Sequence, residues 1–177
     1  MTRCKALSEL IPQNADCVLI ENPVSRRYFT GFYSSDGMLA VTREYGVFGV
    51  DGRYIEAAKE KISDINVALV SNYADFLKEI LKKLSVKRVC VEGSTPASRL
   101  ERLRTLCPDA EFVWEPSLDE GIKRLRMCKD GVEIRRIIEA QRLTDLAFTH
   151  ICDFIRPGVT ERDVALELDY FMKKQGA

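Results

Sequence analysis

Apolar positions along the chain follow two rhythms, short continuous runs of strand length and longer stretches with helical spacing. Residues 3–11 carry helical spacing and are closed by Pro12. Asp16–Ile20 (DCVLI) is a compact apolar run, and NPVS then turns the chain into a short helical stretch, SRRYFTGF. GMLAVT and YGVFGVD are β-rich and joined by a polar turn at Arg43-Glu44, a spacing that predicts a hairpin and at least one antiparallel strand pair.

Strand and helix alternate after the hairpin. Residues 53–62 place Ile55, Ala58 and Ile62 on one side of a helix, and Asn66–Val70 is a strand. Residues 73–84 form a helix with Phe76, Leu77, Ile80, Leu81 and Leu84 on one face. Arg88–Val91 is a further strand. Pro96–Leu106 is a helix with Thr95 as its cap and Pro96 at its first position, where a missing N–H costs nothing. Ala110–Trp114 is the last strand. The fold class is α/β, a mixed sheet flanked by helices, over about residues 1–115.

Beyond Pro116 the pattern is almost purely helical. Residues 116–130 read as a linker with a short helix at 117–126. Residues 131–155 form a long helix with Ile134, Ile137, Leu143, Ala147, Ile151 and Phe154 in a broad apolar stripe. Arg156-Pro157-Gly158 stops it. Thr160, with Asp163 three residues on, caps a helix carrying Val164, Leu168 and Phe171 on one face and Leu166 and Tyr170 on another. Two amphipathic helices with no sheet to cover read as the opening of a second domain. Their apolar stripes are expected to stay uncovered in this chain.

Composition narrows the function classes. Lys plus Arg number 27 and Asp plus Glu 27, so the formal net charge is zero, which argues against nucleic acid or another polyanion as partner. No apolar run approaches the roughly 20 residues that span a bilayer. The opening MTRCKALSEL lacks a continuous apolar stretch and a small-residue cleavage site, so the expectation is a cytoplasmic protein with no leader. Cys4, Cys17, Cys90, Cys107, Cys128 and Cys152 are scattered without CxxC spacing and read as reduced thiols, Cys17 and Cys90 as small strand hydrophobes.

Chemistry is sparse. His150 is the one imidazole and sits mid-helix, where a structural role is expected rather than that of a catalytic base or metal ligand. Asp119/Glu120 and Glu167/Asp169 read as solvated helix faces, and no glycine-rich phosphate loop occurs. Two segments stand out. YFTGFYSSDG, residues 28–37, is an aromatic, hydroxyl-rich loop entering the hairpin. VDGRY, residues 50–54, is a strand-to-helix turn in which Asp51 caps the next helix and Arg53 pairs with a carboxylate. Asp51, Arg53 and Tyr54 are read as a structural motif.

DCVLIENPVSRRYFTGF, GMLAVT, GVFGVDGRYIEAA, LRMCKDGVEIRRIIEAQRLTDLAF and IRPGVTERDVALELDYFMKKQGA, in this order, resemble the creatinase/prolidase family of Xaa-Pro dipeptidases and Xaa-Pro aminopeptidases. The resemblance implies a ribonuclease-H-like N-terminal domain, followed at 131–177 by the first two helices of an incomplete "pita-bread" catalytic domain. It implies two divalent metals, commonly manganese, held by two Asp, one His and two Glu that match no position here, so this chain alone is expected to be inactive. It implies a homodimer in which the loop after TGF closes over the other subunit's active site, making Phe32, Tyr33, Ser34, Ser35 and Asp36 candidate substrate-facing residues. The substrate implied is a peptide with proline at its second position, with Asp36 able to meet its free amine. The loop lacks a His or Arg for a substrate carboxylate, which favours aminopeptidase over strict dipeptidase. The alternatives are a non-catalytic binding module on a metal-less relative, or a creatine-type amidinohydrolase.

Overall fold

The computed structural model describes residues 2–177, in two compact units, one running to Met127 and the other spanning Cys128–Ala177. The first contains α1 (Arg3–Glu9), β1 (Cys17–Ile20), α2 (Pro23–Thr30), β2 (Met38–Thr42), β3 (Gly46–Val50) and α3 (Ile55–Lys61). It continues with β4 (Asn66–Leu69), α4 (Tyr73–Lys83), β5 (Arg88–Val91), α5 (Ala97–Leu106), β6 (Glu111–Trp114) and α6 (Pro116–Met127). The strands form one sheet in the order β4-β3-β2-β1-β5-β6. Only β2 runs against its neighbours, so the hairpin is present and the remaining pairings are parallel.

Both faces of this sheet are covered, which explains why its strands read as continuous apolar runs rather than as alternations. Val18, Ile20, Leu39, Val41, Phe48 and Val50 face a core shared with Leu7 of α1, Phe29 of α2 and Ile55 of α3. Their neighbours Cys17, Leu19, Met38, Ala40 and Val47 face the opposite core, with Leu77 of α4 and Leu103 of α5. Period-two alternation thus persists in the backbone while every position of Cys17–Ile20 is buried.

The ends of the elements have local causes. Asn22 accepts hydrogen bonds from the N–H groups of Val24 and Ser25 to start α2, and Asn72 does the same for Ala74 and Asp75 at the start of α4. The start of α5 differs from expectation. Pro96, with ψ 143°, is itself the extended cap residue and offers no side-chain bond, while the Thr95 N–H is engaged in a turn with the Glu92 carbonyl. The span expected to be a linker also differs. α6 buries Leu118 and Ile122 in the core on the α1 side of the sheet, and Gly121 admits the Leu10 side chain so closely that a Cβ there would lie 2.6 Å from it. Helical spacing alone does not tell a packed helix from a linking one, and this one is packed.

Asp16 ties the beginnings of two strands together. Its carboxylate accepts the N–H groups of Lys87 and Arg88, each at 2.9 Å, and these bonds hold its pKa below the ordinary carboxylate value. With the folded pKa lowered, the stabilisation is complete above the unfolded value and is lost as pH falls through the folded one. In a thermal-melt series from neutral to strongly acidic pH, Asp16→Asn should therefore melt lower than the parent at neutral pH and converge with it in acid. A difference that persists unchanged into acid would contradict this role.

The second unit consists of α7 (Gly131–Phe154) and α8 (Glu161–Lys174), each opened by a reciprocal capping box, Asp130 with Glu133 and Thr160 with Asp163. Ala147 and Ile151 are its buried apolar residues. His150 stacks on Phe171 at 4.1 Å and its Nε2 lies 2.7 Å from a Glu167 oxygen, so the imidazole fastens one helix to the other. Ile134, Ile137, Ile138, Phe148, Leu166 and Tyr170 remain exposed. Among the described residues no helix is long and apolar enough to cross a membrane.

Candidate functional site

The loop between α2 and β2 begins where Gly31 ends α2 in the left-handed conformation, a role that suits a residue without Cβ. The five candidate residues then divide by exposure. Phe32 and Ser34 point into the protein, at 8% and 4% exposed, whereas Tyr33 is 64% exposed and Ser35 and Asp36 also face outward. Phe32 is a peg in the core, packed edge-on against Phe48 at 6.4 Å and Tyr54 at 6.2 Å. Of the five, Tyr33, Ser35 and Asp36 are therefore the ones an outside molecule can meet.

The two segments singled out in the sequence form one structure. The Tyr54 hydroxyl accepts the Ser35 N–H at 3.3 Å and shares a hydrogen bond with Ser35 Oγ at 3.0 Å, and these bonds lower its pKa. Asp51 does not cap α3, whose cap position is Tyr54 and has no side-chain bond. Its carboxylate instead accepts the Arg53 N–H at 2.8 Å and pairs with the Arg53 guanidinium at 2.7 Å. A short side chain bonded two residues ahead cannot also reach the first turn of α3. The guanidinium holds the Asp51 carboxyl below its usual value, and Arg53 also lies over the Tyr54 ring at 5.2 Å. The pairing expected for Arg53 is thus with Asp51 itself.

The sequence reading missed two arginines beside this loop. Arg26, on α2, is 3% exposed and donates to the carbonyls of Gly37 and Ser34. Arg27 points outward, its guanidinium 5.8 Å from the centre of the Tyr33 ring. An Arg-Arg pair at a helix end is ordinary in sequence. Nothing local signals that one of the two turns inward.

Asp36 and Gly37 also border a cavity of about 690 Å³ at the carboxyl ends of β1, β4 and β5, the usual place for a ligand crevice in an open α/β sheet. Glu21 and Arg99 form a bidentate pair in its wall at 2.5 and 2.9 Å. Tyr73 contributes a buried hydroxyl with no hydrogen-bond partner among the described residues, and burial, with Asp36 next in effect, pushes its pKa up to about 12. Just behind, the buried Glu92 accepts the Ser25 hydroxyl at 2.5 Å, and burial raises its pKa. Among the described residues no group of three or more His, Cys, Asp or Glu is placed to hold a metal ion. The loop and its surroundings can bind and orient, chiefly through a carboxylate, a phenol and a cation. The hydroxyl–carboxylate pair of Ser25 and Glu92 is buried, at 3% and 6% exposed.

Residues 3–128 match the Creatinase/Prolidase N-terminal domain and residues 135–177 match Metallopeptidase family M24. An uncharacterized peptidase, YqhT, of Bacillus subtilis is 32% identical over 92% of this chain and 46% of its own length. Among solved structures, an Xaa-Pro dipeptidase from Bacillus anthracis superposes with a TM-score of 0.91 at 30% identity, covering 99% of this chain and 49% of that one. An X-Pro aminopeptidase from Thermotoga maritima gives 0.84 at 30% identity, covering 97% and 49%. The chain spans about half the length of the curated relatives it matches.

Proposed function

The chain belongs to the creatinase/prolidase N-terminal domain family, and from that premise we propose that it is the N-terminal portion of a proline-directed metallo-exopeptidase hydrolysing the peptide bond before proline. In this reading the first unit caps the active site and takes part in a homodimer. The second unit opens the pita-bread catalytic domain, with two divalent metals, manganese in our reading, bound by residues outside this chain. The described residues do not fit a metal site, so the chain's own contribution is binding and orientation. The compartment we propose is the cytoplasm.

The observation that carries the proposal is the outward face of the Phe32–Gly37 loop. Asp36 is exposed on a loop in which Phe32 is fastened to the core and Ser35 to Tyr54. In the proposed dimer, Tyr33, Ser35 and Asp36 face the substrate in the partner subunit's site. A carboxylate there favours a peptide's free ammonium over a blocked or internal residue, because an acylated nitrogen carries no charge to pair with it. The exposed apolar residues of α7 and α8 support the domain reading, since a face of that kind calls for further protein to cover it. The loop's lack of a His or Arg for a substrate carboxylate favours aminopeptidase over strict dipeptidase in this reading, and Arg27, 5.8 Å from the Tyr33 ring, is the nearby cation that would favour the reverse.

The test is an assay of the whole protein on an Xaa-Pro dipeptide, a longer Xaa-Pro peptide and an otherwise identical peptide without proline, with and without added manganese. Metal-dependent cleavage confined to the proline substrates is expected, and the two lengths separate dipeptidase from aminopeptidase. Peptide binding with no cleavage under any metal would replace this reading with that of a non-catalytic binding module.

A further inference from the structure

Arg26 does not reach the outer surface, yet it makes the deepest contact with the loop. Its guanidinium lies beneath the turn, donating from Nη1 to the Gly37 carbonyl and from Nη2 to the Ser34 carbonyl at 3.3 Å. Among the described residues it has no carboxylate ion-pair partner, and its Nε is buried without a hydrogen bond. Asp36, Tyr73, Glu21 and Glu92 act on this buried charge as neighbouring acidic groups, while its hydrogen bonds go to main-chain carbonyls, a costly arrangement for a helix that an aliphatic side chain would serve. Its hydrogen bonds go to the loop.

We infer that Arg26 is a positioning residue that holds the Phe32–Gly37 loop in one preformed shape, so that Tyr33, Ser35 and Asp36 are presented without an ordering step. The inference rests on the proposed role of that loop. Four fixings support it. Phe32 is pegged against Phe48, Arg26 grips Ser34 and Gly37 from beneath, and Tyr54 holds Ser35 from the side. Gly37 is required for the grip, since it adopts φ +147° and a Cβ there would lie 2.8 Å from Arg26 Nη1 and 3.0 Å from the Phe48 ring. Tyr33 and Asp36 face outward. Among the described residues the hydrogen bond of Asp36 is with the neighbouring Gly37 N–H, at 2.8 Å, and its carboxylate lies within electrostatic reach of Arg26. Such a loop avoids the entropy loss that a mobile loop incurs when it closes on a ligand.

Amide hydrogen exchange on this chain tests the inference without relying on any activity. In Arg26→Met, exchange across residues 32–37 should accelerate by about 10-fold or more while the β1, β2 and β5 amides stay within about twofold of the parent. Arg26→Lys, which keeps the charge but lacks the fork, should fall between the two. Tyr54→Phe leaves the core intact and should accelerate exchange at Ser35 alone, so the loop's fixings can be read even if the Arg26 variants fold poorly. In the whole protein, Arg26→Met should raise KM for an Xaa-Pro peptide more than it lowers kcat. Loop exchange unchanged in Arg26→Met, or exchange accelerated equally everywhere, would overturn the positioning role. Faster loop exchange with unaltered kinetics would leave the loop pinned by Arg26 but remove its part in presentation. Absence of peptidase activity in the parent would sink the proposed function and leave the exchange result standing.

Discussion

Asp36→Asn in the whole protein is expected to lower kcat/KM on an Xaa-Pro peptide by about 10- to 100-fold, the loss of one hydrogen bond to a charged partner. Asparagine is the informative replacement. Its side-chain oxygen can still accept the Gly37 N–H that Asp36 accepts at 2.8 Å, so the turn keeps its shape while the charge is removed. The effect should fall mainly on KM, because a carboxylate that meets the substrate's ammonium does so equally in ground and transition states. It should also vanish on a peptide with an acetylated N-terminus, which has no charge to meet. A variant that loses activity equally on free and acetylated peptides would place Asp36 in some other role.

Phe48→Ala should destabilise the first unit by about 3–5 kcal/mol, the usual range for deleting a fully buried aromatic ring. Phe48 is 0% exposed on β3, its ring meets Phe32 at 6.4 Å, and it forms the floor under Gly37. The loss therefore reaches both the sheet and the base of the loop. Phe48→Leu retains most of the volume and should cost about 1.5 kcal/mol or less. Denaturant melts of the two variants against the parent measure the difference. Similar melting of all three would mean that the ring is not part of the cooperative core.

The sheet was legible because its strands are short, mostly apolar and set between strong turn signals. Cys17–Ile20, Arg88–Val91 and the hairpin lie where the runs of Val, Ile, Leu and Phe place them. The alternation that would have told one face from the other was hidden, because helices cover both faces and Val18 and Leu19 are equally buried against different cores. The order of strands could not be read, since parallel pairing depends on contacts far apart in sequence, such as Val47 with Asn66 and Val18 with Cys90. The start of α5 was misread because Thr-Pro fits both a cap followed by a first helical residue and a turn followed by an extended proline. Capping at Thr160 was legible from a local spacing of three.

The candidate loop was found by composition, but its internal division was not. Phe32 and Ser34 turn inward and Tyr33, Ser35 and Asp36 outward because of what lies beneath, namely Phe48 from β3 and Arg26 from α2. Neither contact has a sequence signature. The link from Tyr54 to Ser35 joins positions 19 apart through a single hydroxyl, which no motif announces.

The Phe32–Gly37 loop is proposed to serve a neighbour's active site rather than its own. Subunit mixing tests this most directly. Asp36→Asn subunits are combined, by unfolding and refolding together, with subunits whose loop is intact but in which the metal ligands proposed to lie outside this chain have been removed. If the loop acts across the dimer, mixed dimers pair an intact loop with an intact metal site, and at substrate well below KM equimolar mixing should restore roughly a quarter of the parent activity from two samples of low activity. A mixture no more active than the average of its two components would contradict the account, because each loop would then serve only its own subunit.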